Sequence, residues 1–251
     1  MHRMFKLAVA VLAVGLAIGS AGAGSVTFKG TIRDLTPANP DFEPTLGGQM
    51  GSIAATLGPD GKPVYQAGPD ESKRMHGADA FYQWYHDVPG ANLSAPFAVT
   101  LDQLEWAPGE FYFYAPNFFP IDNAMLGNYG DSGHNFHFTL ETHSVFQSQP
   151  GQFLEYASDD DLYVFIDGKM VVDDGGIHGR LRQRFNLDDL ALPAGSHTLD
   201  LFYAERATVE SALLLYTNIR VTQPSIVPEP MTMIGLAGGL ASLGAYLRRR
   251  R

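Results

Sequence analysis

The 251-residue chain has no cysteine. It therefore has neither a disulfide nor a thiol nucleophile, and its stability must come from core burial or a bound metal. Charge is scarce as well, at 18% of residues, and 27 Gly and 16 Pro follow no fixed period. These shortages exclude a charged disordered chain, a long coiled coil and a collagen-like rod. Basic residues are few in the body: residues 24–226 hold 11 Lys and Arg against 26 Asp and Glu, a net charge of −15. Such a body repels phosphate at range, which excludes nucleic acid and anionic lipid as partners. Catalytic signatures are also missing: there is no Gly-x-Ser-x-Gly elbow, no His-Glu-x-x-His helix and no Walker loop. Nothing in the sequence selects a glycosidase-type acid pair from the 26 acids. The expectation is a non-enzyme, with a carbohydrate-active enzyme as the third reading.

What is present begins with the two ends. Residues 1–23 start with His2, Arg3 and Lys6, run apolar from Leu7 to Ile18, and end on Ala21-Gly22-Ala23. This is the pattern of a cleaved export signal, and the apolar run falls short of the ~20 residues of a spanning helix. Residues 227–251 carry Val227, Pro228, Glu229 and Pro230, the apolar segment Met231 to Leu247, and Arg248 to Arg251. Physically this is a stiff break, a helix just long enough to span and a basic stop, which also fits a permanent anchor. The three parts in this order resemble the PEP-CTERM sorting signal. That resemblance implies an exosortase-type membrane protease as partner, an inner-membrane-anchored intermediate, and delivery to the cell surface or extracellular matrix.

Between these ends, residues 24–226 read as one domain without an internal repeat. Ser25 to Asp34 alternates, with Val26, Phe28 and Ile32 as the inward positions. A Pro/Gly-rich stretch reaches about Gly77, and Ala78 to Asp87 is a short helix that brings Phe81, Trp84 and Tyr85 to one face, as a cover for the core or a stacking platform. Strands are then expected at 97–104, 111–114, 134–142, 152–156, 162–166, 169–172, 182–187, 197–205 and 212–222. Short strands with Gly, Pro, Asn and Asp between them predict an all-β antiparallel sandwich with minor short helices. Asp167-Gly168 supplies the positive φ of a two-residue hairpin turn. The strand before it, Leu162 to Ile166, is apolar on both faces and reads as buried on both sides.

Ser158-Asp159-Asp160-Asp161 stands immediately before that strand. Adjacent carboxylates repel, and holding them at the mouth of a buried strand requires donors or a cation; calcium takes six to eight oxygens of this kind. The alternative is an Asx-rich turn with solvated acids. The run from Ser158 through Asp173, followed by Gly175-Gly176-Ile177-His178, resembles the signature of the fibro-slime domain. Gly30-Thr31-Ile32-Arg33-Asp34, Asn39-Pro40-Asp41-Phe42-Glu43, Trp84-Tyr85-His86-Asp87, His134-Asn135-Phe136-His137 and Leu201-Phe202-Tyr203-Ala204-Glu205-Arg206 extend it in order. That family is similar to the lectin-like insert domain of protective-antigen toxins and to flocculin adhesins. The resemblance implies a β-sandwich of the protective-antigen insert type that binds glycans, with calcium on adjacent aspartates joined by a cis peptide.

On this basis Asp159, Asp160, Asp161 and Glu205 are the expected calcium ligands, and Asp173, Asp174, Gly175, Gly176 and His178 the expected ligand loop, with exposed aromatics nearby to stack on sugars. Glu205-Arg206 also reads as an internal ion pair or as a partner of the acidic loop. His134 and His137, three apart on a predicted strand, face opposite ways and cannot share one ion. The function expected is adhesion or carbohydrate binding at the surface or in the matrix, to extracellular polysaccharide or matrix proteins. The alternative is a structural matrix protein that self-associates without a ligand.

Overall fold

The computed structural model describes residues 24–43, 47–48, 50–67, 75–129 and 133–223. The predicted export and sorting segments lie outside the described residues. Among the described residues no helix is long and apolar enough to cross a membrane. The elements run β1 (Ser25–Leu35), β2 (Gly47–Gly48), α1 (Ala78–Tyr85), β3 (Asn92–Leu104), β4 (Ala107–Ala115), β5 (Phe138–Gln147), β6 (Phe153–Asp159), β7 (Asp161–Ile166), β8 (Lys169–Asp174), β9 (Gly176–Ile177), β10 (Leu181–Asn186), a 3-10 turn Leu187–Leu190, β11 (Ser196–Glu205), β12 (Ala212–Thr217) and β13 (Val221–Thr222).

All the pairings are antiparallel, in the order β10-β6-β12-β4-β3-β1-β5-β11-β7-β8, with β13 beside β5 and a separate β2-β9 pair. A single residue, Asp160, separates β6 from β7 in the chain, yet the two lie near opposite ends of that order. A flat sheet with ~4.8 Å between strands would put them about 34 Å apart. The sheet therefore curls over on itself, and Asp160 is the point at which the chain crosses from one layer to the other. Between the layers lies one core, in which Tyr156 of β6, Leu213 of β12, Phe28 of β1 and Val164 of β7 all share.

A second core lies outside the sheet. Tyr163 and Phe165 of β7, with Phe202 and Ala204 of β11, point away from the first core and meet Phe81, Trp84 and Tyr85 of α1. β7 is buried at every position, as its two-sided apolar sequence predicts. α1 is a core cover: Phe81, Trp84 and Tyr85 are 0 to 3% exposed. The β7–β8 turn has Asp167 at φ 50 and Gly168 at φ 69, the backbone that Asp-Gly favours. In β1 the expected inward residues Val26, Phe28 and Ile32 are buried. Gly30 lies over β5, where a Cβ would fall 1.7 Å from the Glu141 carbonyl oxygen, so no larger residue fits there.

Several element ends differ from the sequence reading: β3 begins at Asn92 rather than 97, β4 at Ala107 rather than 111, and β6 runs on to Asp159. Two further differences have a visible cause. The strand expected from His134 begins at Phe138, because the Asn135 side chain is drawn to Asp34 and to the Gly127 carbonyl, and its Oδ1 accepts from the His137 N–H. His134 and His137 are thus loop residues, and the argument from strand faces does not apply to them. The segment 212–222 is broken at Asn218, whose side chain holds the Phe153 N–H and the Gly151 carbonyl. The chain leaves β6 there and returns as β13 beside β5.

Candidate functional site

The Asp159–Asp160 peptide bond is cis, the link that the adhesin resemblance implies for such a pair. The three aspartates around this corner have different fates. Asp161, the first residue of β7, faces the second core. Its Oδ2 accepts from Arg206 Nε at 2.7 Å, and its Oδ1 accepts from Arg206 Nη2 at 3.2 Å, Tyr163 Oη at 2.8 Å and Gly176 N at 2.7 Å. Both side chains of this ion pair are 0% exposed. Arg206 also donates to the Asp41 carbonyl and lies over the Trp84 ring, and Trp84 Nε1 donates to Asp41 Oδ2. Asp161 is thus saturated by donors and makes no free cation ligand, a correction to the expected metal set. Arg206 is the partner of the acidic loop that the sequence suggested.

Asp160 bridges two segments: Oδ1 accepts from the His178 N–H at 3.2 Å and Oδ2 from the Arg206 N–H at 3.0 Å. Burial, reinforced by the neighbouring Asp161 charge, pushes its carboxyl up to about 8. Asp159 is buried, and its Oδ2 has no hydrogen-bond partner. Burial first, and then Glu210, push it up to about 6. Glu205 accepts from the Ala207 N–H and lies 3.3 Å from Tyr203 Oη. The Tyr203 hydroxyl also donates to the Asp159 carbonyl, so its one proton is shared between the two acceptors. Burial and Asp160 hold the Glu205 carboxyl well above the usual range. Asp160 and Glu205 lie close enough to couple, but Glu205 is sealed behind the corner.

The expected ligand loop divides. Asp173 Oδ2 accepts from Gly51 N, and Asp174 accepts from Ser158 Oγ and lies 3.5 Å from His178 Nε2; both acids hold the loop in place. Gly176 donates to Asp161 and pairs with Gly48, while the Gly175 carbonyl closes on Gly48. Burial alone would lower His178, but the Gly179 carbonyl and the Asp174 charge outweigh it and raise its pKa.

Asp173 is only half-buried beside Gly51, and of the other expected site residues Asp159, Asp160 and His178 come together at one opening. They line a cleft of about 360 Å3 with Ile177, Gly179, Val209 and Glu210. Among the described residues no Phe, Tyr or Trp ring is among its walls, contrary to the stacking expected. Tyr114 stands further out, where its hydroxyl accepts from Arg180. Among the described residues no group of three His, Asp or Glu converges as a ready metal cage. The fit to a cation is therefore confined to the Asp159–Asp160 corner, where a buried carboxylate oxygen lacks a donor.

Sequence reasoning missed Asp41, Trp84 and Tyr203 as the frame of this corner. Their contacts span 43 to 165 residues of chain, so no local spacing announces them. Asp161 and Tyr163 were accessible, since residues two apart on a strand share a face.

No family model matches the chain. It is similar to the psi proteins of Dictyostelium discoideum. It is 37% identical to protein psiQ over 216 residues, covering 80% of this chain and 22% of psiQ. It is 36% identical to protein psiD over 214 residues, covering 79% of this chain and 42% of psiD. The chain thus spans less than half the length of these curated relatives. Among solved structures it is similar to the PA14 domain of the MpAFP antifreeze protein, with 10% identity, a TM-score of 0.31, and cover of 49% of this chain and 79% of that one. The PA14 sugar-binding domain from an RTX adhesin matches with 11% identity, a TM-score of 0.30, and cover of 68% and 89%.

Proposed function

We propose that this chain is an extracellular, non-catalytic adhesion module that binds carbohydrate at the Asp159–Asp160 corner with the help of a calcium ion. The observation that carries this reading is the buried, partnerless Asp159 Oδ2 beside Asp160 at the mouth of an open cleft. In this reading Asp159 and Asp160 hold the ion, while Asp161 with Arg206 keeps the corner rigid. Calcium supplies the positive charge that the corner lacks and open positions for ligand oxygens. His178 and Glu210 form the polar rim, and Ile177 and Val209 the apolar wall against a sugar face. Export, with sorting by an exosortase-type protease through Val227 to Pro230, delivers the module to the surface or matrix. Loss of surface display on Glu229→Ala checks that step.

The experiment is retention of the purified protein on immobilised polysaccharides in calcium and in chelator, with calorimetric titration of calcium alone. Retention that chelator abolishes, together with calcium binding lost in Asp159→Asn, supports the proposal. Retention indifferent to chelator, or calcium binding unchanged in the variant, overturns it. The dense hydrogen bonding around Asp161 and Arg206 favours a second reading, a structural matrix protein whose acidic corner only ties the fold. Self-association without any polysaccharide retention would select it.

A further inference from the structure

The same end of the molecule carries a second cleft, of about 160 Å3, where the end of β1 meets the loops around Leu126 and His137. Its polar lining is one-sided. Asp34 is 1% exposed, and its Oδ2 accepts from the Leu126 N–H at 2.7 Å and from Asn135 Nδ2 at 2.9 Å. Among the described residues no donor reaches its Oδ1. Burial pushes this carboxyl up to about 6, which leaves it charged at neutral pH. His137, with a side chain 3% exposed, directs Nε2 to Glu43 Oε1 at 2.9 Å. A carboxylate only accepts, so Nε2 holds the proton and Nδ1 is a lone pair; Nδ1 is buried without a partner. Burial lowers the pKa of this ring, keeping it neutral.

The side-chain amide donors of the cleft are committed elsewhere. Asn135 Nδ2 serves Asp34 and the Gly127 carbonyl, and Asn128 Nδ2 serves Asn123 Oδ1 and the Gly133 carbonyl. The N–H groups of Leu35, Gly127 and Tyr129 all donate to backbone carbonyls. A buried acceptor without a donor costs free energy that an incoming donor recovers. A hydroxyl brings a single donor, whereas an ammonium group brings three and also matches the Asp34 charge.

We infer that this cleft takes the primary ammonium group of an amino sugar, held between Asp34 and His137 with the Tyr129 ring as a wall. Sugar as the carrier rests on the carbohydrate-binding reading above, since a short chain of contacts joins the two clefts. Glu43 bonds His137 and, through its N–H, the Arg206 carbonyl; the Arg206 N–H in turn bonds Asp160.

Glucosamine, N-acetylglucosamine and glucose, titrated by NMR into the protein at about 0.15 M salt to screen its net charge, test the inference. The expected result is roughly tenfold tighter binding of glucosamine than of the other two, a shift of the His137 Nδ1 resonance, and a loss of about tenfold in Asp34→Asn and in Leu126→Trp. Leu126 is 46% exposed, so that variant caps the cleft without disturbing the buried groups and stands alone if Asp34→Asn does not fold. Asp159→Asn and chelator should leave glucosamine binding unchanged. Equal binding of the three sugars, no movement of His137, or full binding by Leu126→Trp overturns the inference. If polysaccharide retention depends on calcium but glucosamine fails, only the amino-sugar cleft is rejected; the reverse outcome rejects only the calcium corner.

Discussion

Two buried carboxylate networks lie on this sheet, and the same burial leaves them in opposite states. At Glu141, in the middle of β5, Arg33 Nη1 donates at 2.9 Å, Lys62 Nζ bonds the other oxygen, and His143 lies 3.8 Å away while its Nδ1 bonds Asp200. Burial pushes Glu141 up, but His143, Lys62 and Arg33 together bring it down to about 2. His143 is in turn raised to about 9 by Asp200 and Glu141, against the effect of burial. At the β6–β7 corner, Asp159, Asp160, Asp161 and Glu205 face one buried cation, Arg206, which Asp161 engages. There Asp159, Asp160 and Glu205 are all raised. The contrast shows that the direction of the shift follows the supply of cations, since both networks are buried. A network short of positive charge takes up a proton or a cation, which is why the corner and not Glu141 is the functional candidate.

Substitutions that alter this balance test the comparison. Removing the buried cation at the corner, Arg206→Met, has the largest effect: a buried pair broken on one side costs about 3–5 kcal/mol, read from denaturant unfolding. Glu141→Gln is next, at about 3 kcal/mol, because it leaves Arg33 and Lys62 facing a neutral amide in a buried site.

The pH response separates the networks further. Glu141 has a folded pKa below the ordinary 4.5, so its stabilisation is present above that pH and lost as pH falls toward about 2. His143 has a folded pKa above the ordinary 6.5, so its stabilisation is complete below that value and lost as pH rises through about 9. Asp160 behaves the other way from Glu141: its pKa is raised from 3.8, so in chelator stability declines as pH rises through about 8, and Asp160→Asn removes that part of the decline. Thermal midpoints across pH check all three. The smallest effect carries the opposite sign. Asp159→Asn in chelator should stabilise the protein by on the order of 1 kcal/mol, because it removes a raised, partnerless charge.

The sequence made the corner legible and left the rest of its frame hidden. Local patterns sufficed for the Asp167-Gly168 turn, the two-sided burial of β7 and the aromatic face of α1, since each is fixed by residues within a few positions. The Asp-rich run also announced itself, being contiguous. Its division into a locked Asp161 and an open Asp159 was not legible, because Arg206, Asp41 and Trp84 arrive from distant segments through the crossing of the layers. The Glu141 network was invisible for the same reason, as Arg33 and Lys62 lie 108 and 79 residues away. His134 and His137 misled because Asn135 competes for backbone partners and delays β5, which alternation of side chains cannot register.

The central claim is that the corner lacks positive charge and a calcium ion supplies it. The most direct measurement is the thermal midpoint of the protein in excess calcium and in chelator, for the native sequence and for Asp159→Asn. A site filled at a hundredfold excess over its dissociation constant adds about 2.7 kcal/mol, so the native midpoint should rise with calcium while that of the variant stays fixed. A native midpoint that ignores calcium, or a variant that responds equally, would contradict the account.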